Sequence, residues 1–192
     1  MSHQQNPTPE QLRQAAENWA KGWSQNDSDL WADFYAPGSF YRDASFGGEA
    51  RGGRLGHIFW HDAFKQALPN YEVTIKEILL GDNHATVLYK GDGTLAKALG
   101  QLPPECNGYG IFEVEGDIVT LKAGDRTLTF KRAEDGHFDM SPLPSVPAEF
   151  FGKNFTIPNG VAVIKVDKNG LMTEATEYYD RLPMMRATGA AF

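Results

Sequence analysis

The chain has 192 residues, 41% apolar and 22% charged, enough for one sizeable core or one core with a small appendage. Its net charge of −7 argues against the basic face that nucleic-acid and anionic-membrane binders carry. The expected partner is a hydrophobic small molecule, with no nucleic acid and no membrane. The single cysteine, Cys106, cannot close an internal disulfide, and neither a signal-peptide pattern nor an apolar run of membrane-spanning length occurs, so a cytoplasmic setting is expected.

Taken in chain order, Thr8-Pro9-Glu10-Gln11 has the form of a capping box and predicts a helix running to about Gln25. Leu12, Ala16, Trp19 and Trp23 fall on one stripe of that helix. Asn26-Asp27-Ser28-Asp29 breaks it, and Ser28 or Asp29 can cap a shorter helix that Pro37-Gly38 stops. Residues 39–44 read as a strand, with Tyr41 and Asp43 on one face and Phe40 and Arg42 on the other. After a glycine-rich loop, residues 55–68 form a third predicted helix ended by Pro69. Two hairpins are expected, 71–80 with 84–90 around Gly81-Asp82-Asn83, and 160–167 with 171–180 around Lys168-Asn169-Gly170.

Between the hairpins, the runs 111–114, 118–121, 127–131 and 137–140 are separated by turn clusters and read as a β-meander. Leu102-Pro103-Pro104 and the proline-rich stretch 141–147 flank it as stiff linkers. This order of elements indicates an α+β fold with helices over one face of a curved sheet. The stripe of the first helix should pack on Val73, Ile75, Val87, Val163 and Leu171.

The chain resembles the SnoaL-like polyketide cyclases, within the NTF2-like superfamily that also holds ketosteroid isomerases, limonene epoxide hydrolase and scytalone dehydratase. The resemblance is carried by Trp19-Ala20-Lys21-Gly22-Trp23, by residues 34–43, by Gly52-Gly53-Arg54, by Leu68-Pro69-Asn70-Tyr71 and Gly93-Thr94, and by 168–174 with Tyr178-Tyr179-Asp180. It implies an NTF2-like cone, three N-terminal helices packed on a strongly curved, mostly antiparallel sheet around an apolar pocket. It further implies one domain over residues 1–192, a homodimer and chemistry without a cofactor. The meander, at about 102–150, is then a β-rich insertion that departs from the compact family pattern.

Two carboxylates are candidate catalytic residues. Asp43 stands where ketosteroid isomerases hold the carboxylate that moves a proton between carbons, and Phe40, Tyr41 and Phe46 around it would raise its proton affinity. The competing reading is an Asx turn or an ion pair with Arg42, Arg51 or Arg54. Asp180 matches the acid/base aspartate of SnoaL-like cyclases, on the face of Met172, Glu174, Thr176 and Tyr178, and otherwise caps the turn before Leu182-Pro183. An enolate needs a hydrogen-bond donor. Trp19 occupies the place of the ketosteroid isomerase tyrosine, which leaves Tyr41, Tyr89, Tyr178, His57 and His61 as candidates. His57 and His61 share a helix face at metal-binding spacing, but the glutamate of HExxH and a third ligand are missing, so no metal is expected. Trp19, Trp23 and Trp60 are core or substrate-facing residues. The favoured function is cofactor-free acid/base chemistry on a hydrophobic oxygenated small molecule, of polyketide cyclase or isomerase type. The alternatives are a non-catalytic ligand carrier and a hydrolase resembling limonene epoxide hydrolase that uses Asp43, Arg42 and Asp180.

Overall fold

The first helix, α1 (Pro9–Ser24), begins where the sequence places it. Thr8 Oγ1 accepts the Gln11 N–H at 3.2 Å, and Gln11 Oε1 accepts the Thr8 N–H at 2.8 Å. Its buried stripe holds Leu12, Ala16, Trp19 and Trp23. The coordinates form a computed structural model that describes residues 6–45, 48–51, 53–96, 111–123, 126–142, 148–183 and 186. Phe46, Cys106, the turn residues Gly124-Asp125, the Leu102-Pro103-Pro104 linker and most of the second proline-rich stretch lie outside the described residues.

The next helix, α2 (Ser28–Asp33), is capped by Asp27, whose Oδ1 accepts the Leu30 N–H at 2.9 Å. Ser28 and Asp29, the expected caps, are engaged elsewhere: Ser28 Oγ bonds His61, and Asp29 pairs with Arg54 and Arg132. The strand β1 (Tyr35–Asp43) starts earlier than the sequence suggests. Pro37 and Gly38 do not stop a helix; they sit exposed in this strand at a register shift, with Gly38 at φ 78°. A short β2 (Gly48–Ala50) and the helix α3 (Gly53–Ala67) follow.

The main sheet is completed by β3 (Glu72–Leu80), β4 (His84–Thr94), β8 (Asn154–Val166) and β9 (Met172–Tyr179), in the order β2-β1-β9-β8-β4-β3. Only β1 and β9 run parallel among these pairs. Register shifts in several pairs mark bulges, which bend and twist a sheet. The chain is thus α+β, with a curved, mostly antiparallel sheet and α1 packed on β3, β4 and β8. Val73, Ile75 and Val87 join the core under α1 as expected. Val163 and Leu171 do not; their neighbours Ala162, Ile164 and Met172 are buried instead, because bulges shift which residues face inward.

A second sheet holds β5 (Ile111–Glu115), β6 (Ile118–Ala123) and β7 (Arg126–Lys131). The expected fourth strand at 137–140 is absent among the described residues, where a single bridge joins Arg132 and Phe138. Phe138 instead plugs a separate core with Ala32, Ile58, Phe59, Val119, Leu121 and Phe130. Helix α3 is therefore buried on two sides. Trp60 and Phe64 pack on the main core, while Ile58 and Phe59 pack on the small sheet.

Candidate active site

Strand alternation aims Ser39, Tyr41 and Asp43 of β1 inward, and Ala175, Glu177 and Tyr179 of β9 likewise. Asp43 and Glu177 are register partners across the parallel pair, so two carboxyl groups stand side by side under the helices. Both are buried, at 8% and 4% exposure. Asp43 Oδ2 accepts the Tyr179 hydroxyl at 2.5 Å, and its Oδ1 accepts the Ser45 N–H at 3.0 Å. Ser45 Oγ in turn accepts the Tyr179 N–H at 2.6 Å, which holds the two strands in register beside the carboxylate. Glu177 Oε2 accepts the Tyr89 hydroxyl at 2.8 Å, while its Oε1 is buried without a hydrogen-bond partner among the described residues.

Burial, reinforced by the charge of Asp43, pushes the Glu177 carboxyl up to about 8. The hydrogen bond from Tyr89 pulls in the opposite direction. Tyr41 and Trp23 also pull it down, from a reach that leaves the Trp23 indole N–H without an acceptor among the described residues. Burial and the neighbouring Asp43 charge thus both favour the protonated form of Glu177, as like charges in a dry site do. Burial also holds the Tyr41, Tyr89 and Tyr179 phenols well above their ordinary value, so all three stay protonated donors. A base, an acid and donors of this kind can take a proton from carbon and stabilise the oxyanion that results.

Around this pair the structure gathers several expected residues. Tyr41 lies between Trp23 (5.5 Å between ring centres) and the half-buried Trp60 (5.8 Å). Trp19 meets Tyr89 edge-on at 5.0 Å. His57 and His61 are buried in separate polar contacts: His57 Nε2 bonds Ser39 Oγ at 3.0 Å, whereas His61 Nε2 donates to the Gly22 carbonyl and its Nδ1 accepts from Ser28. Burial holds both imidazoles down at about 4, hence neutral. Among the described residues no three His, Cys, Asp or Glu side chains converge on a common point.

Two expected residues lie elsewhere. Tyr178 is 51% exposed and faces outward, and Asp180 is exposed with its Oδ1 accepting the Leu182 N–H at 2.9 Å, a turn cap. The carboxylate that β9 contributes is Glu177, which the sequence reading passed over. A bulge at the start of β9, where Lys165 pairs with Glu174 but Val166 with Met172, reverses the alternation counted from Met172. An open cleft of about 300 Å³ bordered by Asn70, Glu72, Asp92 and Thr156 is polar and contains neither carboxylate of the pair.

No protein-family model matches the chain, and a search of curated proteins gives no match. Solved structures do match it. A SnoaL-like polyketide cyclase from Jannaschia sp. CCS1 shares 13% identity over 98% of this chain and 99% of that one, with a TM-score of 0.56. A protein of ketosteroid isomerase-like fold from Catenulispora acidiphila, solved with trimethylamine, shares 14% identity over 96% and 95%, at 0.56. An epoxide hydrolase/cyclase-like enzyme of pyran-ring formation in the polyether salinomycin shares 9% over 89% and 92%, at 0.53. Among the described residues no helix is long and apolar enough to cross a membrane. The fold of this chain is the NTF2-like fold of SnoaL-like polyketide cyclases and ketosteroid isomerase-like proteins.

Proposed function

We propose that the protein is an acid/base enzyme acting without a cofactor on a hydrophobic, oxygenated small molecule, in a cyclisation or isomerisation. The observation that carries this reading is the buried carboxyl pair: Asp43 as base, and Glu177 as the acid that protonation keeps neutral. Tyr179 is hydrogen-bonded to the first and Tyr89 to the second. Aromatic rings of Trp23, Tyr41 and Trp60 supply the apolar wall that suits such a substrate. Similarity in fold to polyketide cyclases points the same way, as an analogy. The domain assignment follows, one NTF2-like unit carrying the small sheet as an insertion. A ligand carrier of the same fold is the rival, and it would bind such molecules without exchanging their protons.

The test is proton exchange in D₂O, read by NMR on a panel of apolar aryl ketones and 1,3-diketones. The wild-type protein should wash deuterium into the carbon next to the carbonyl. Asp43→Asn should slow this by roughly 10²–10⁴-fold with an unchanged circular dichroism spectrum. Exchange that survives the substitution would remove Asp43 as the base, and binding without exchange would favour the carrier. A homodimer belongs to the same proposal. The outer face of the sheet exposes Leu79 at 50% and Tyr178 at 51%, a surface suited to a second copy. Light scattering at high concentration should give twice the chain mass.

A further inference from the structure

Tyr89 of β4 and Tyr179 of β9 are both register partners of Gly160, on the strand between them. On the adjacent rung of the sheet, Val87, Ala162, Glu177 and Asp43 stand in one row. To donate to Glu177 at 2.8 Å, the Tyr89 ring must cross β8, and its path lies over Gly160. A β-carbon at that position would sit 2.2 Å from Cζ, 2.3 Å from Cε1 and 2.7 Å from the hydroxyl oxygen of Tyr89. No real side chain tolerates such contacts. Nor can the ring retreat, since Tyr89 is fully buried with Trp19 edge-on at 5.0 Å. Gly160 is not among the glycines with positive φ, so the backbone does not require glycine there. The need is for space.

We propose that Gly160 is a positioning residue of the site: its missing side chain lets Tyr89 lie across β8 and deliver its hydroxyl to Glu177. The inference rests on Glu177 belonging to the working pair. Side chain by side chain, Glu177 is faced by Asp43, Tyr35 and Tyr41 from β1, Tyr71 from just before β3, Tyr89 from β4, Trp23 from α1 and Tyr179 from its own strand. Of these, a β-carbon on Gly160 is aimed at Tyr89.

Two readouts without substrate test it. Infrared titration of the Glu177 carboxyl band, assigned with Glu177→Gln, should give a midpoint about one pH higher in Gly160→Ala than in the wild type. Tyr89→Phe should give the same midpoint, and the double variant Gly160→Ala/Tyr89→Phe no further rise. Thermal unfolding covers the case in which Gly160→Ala folds poorly. The alanine should lower Tm by about 4 °C or more in the wild-type background and by far less in a Tyr89→Leu background, where the ring is gone. An unchanged Glu177 midpoint in folded Gly160→Ala, or equal Tm losses in both backgrounds, would overturn the proposal. Because neither readout uses turnover, it stands or falls separately from the proton-exchange test.

Discussion

Glu177 shows how little chemistry a side chain carries until its surroundings are set. On an exposed strand it would be an ordinary carboxylate; here burial and the charge of Asp43 both disfavour its ionised form. Glu177→Gln keeps the shape while removing the acidic proton, so ketone exchange should slow by about 10- to 100-fold, less than for Asp43→Asn. His61 illustrates the opposite outcome for a reactive residue type. Its Nε2 proton goes to the Gly22 carbonyl and its Nδ1 accepts from Ser28, which ties α3 to α1 and α2 and leaves no nitrogen for chemistry. His61→Leu removes the links to Gly22 and Ser28 while the Gly22 carbonyl keeps the Gln25 N–H at 3.3 Å, and urea unfolding should show a loss of about 0.5–1.5 kcal/mol.

At the scale of elements, the small sheet has a definite place. It covers the outward sides of α2 and α3, through the core of Ala32, Ile58, Phe59, Phe130 and Phe138, and not the carboxyl pair. One buried carboxylate on α3 anchors it. Asp62 Oδ1 pairs with His137 at 2.6 Å, and its Oδ2 accepts the Phe138 N–H at 2.7 Å and the Gln66 amide at 2.9 Å. Arg132 adds a partly exposed pair to Asp29, of the kind that contributes little. Asp62→Ala strands the Phe138 N–H in an apolar contact, a cost of about 1–3 kcal/mol. Hydrogen exchange should then quicken in β5–β7 while β4, β8 and β9 keep their protection.

For the whole molecule, buried titratable groups set a pH optimum. His57 and His61, held near 4 when folded, contribute stability that is present above their ordinary value of 6.5 and lost as pH falls toward 4. Glu177, raised from 4.5 to about 8, contributes stability that is complete below 4.5 and lost as pH rises through 8. Two histidines outweigh one glutamate between these limits, so stability should climb from pH 4.5 to a maximum near 6.5. It should then fall by up to about 2 kcal/mol by pH 8. Beyond 8 Glu177 is ionised in both states and its decline ends, while the buried Lys65, lowered from 10.5 to about 8 by desolvation, makes stability rise again with pH. Melting curves across this range should show the maximum, and Glu177→Gln should abolish the limb between 6.5 and 8. A wild-type Tm that rises steadily from pH 6.5 to 8 would contradict it.

The sequence by itself determined the elements whose signals are local. The α1 capping box, its four-residue apolar stripe, the third helix and both hairpins involve residues within a turn or two of each other, so periodicity and caps report them. It also placed Asp43 and Tyr41 on one inward face, since no bulge separates them. Only the tertiary structure decided which β9 carboxylate joins Asp43. Strand alternation has a period of two, and one extra residue near Met172 exchanges the Asp180 face for the Glu177 face without leaving any trace in composition. The same holds for Phe138, which an apolar run marks as strand but which leaves the sheet because Asp62, 76 residues earlier, captures its N–H. Such long-range contacts, like the passage of Tyr89 over Gly160, come from packing between strands that the chain does not join directly, and no local pattern encodes them.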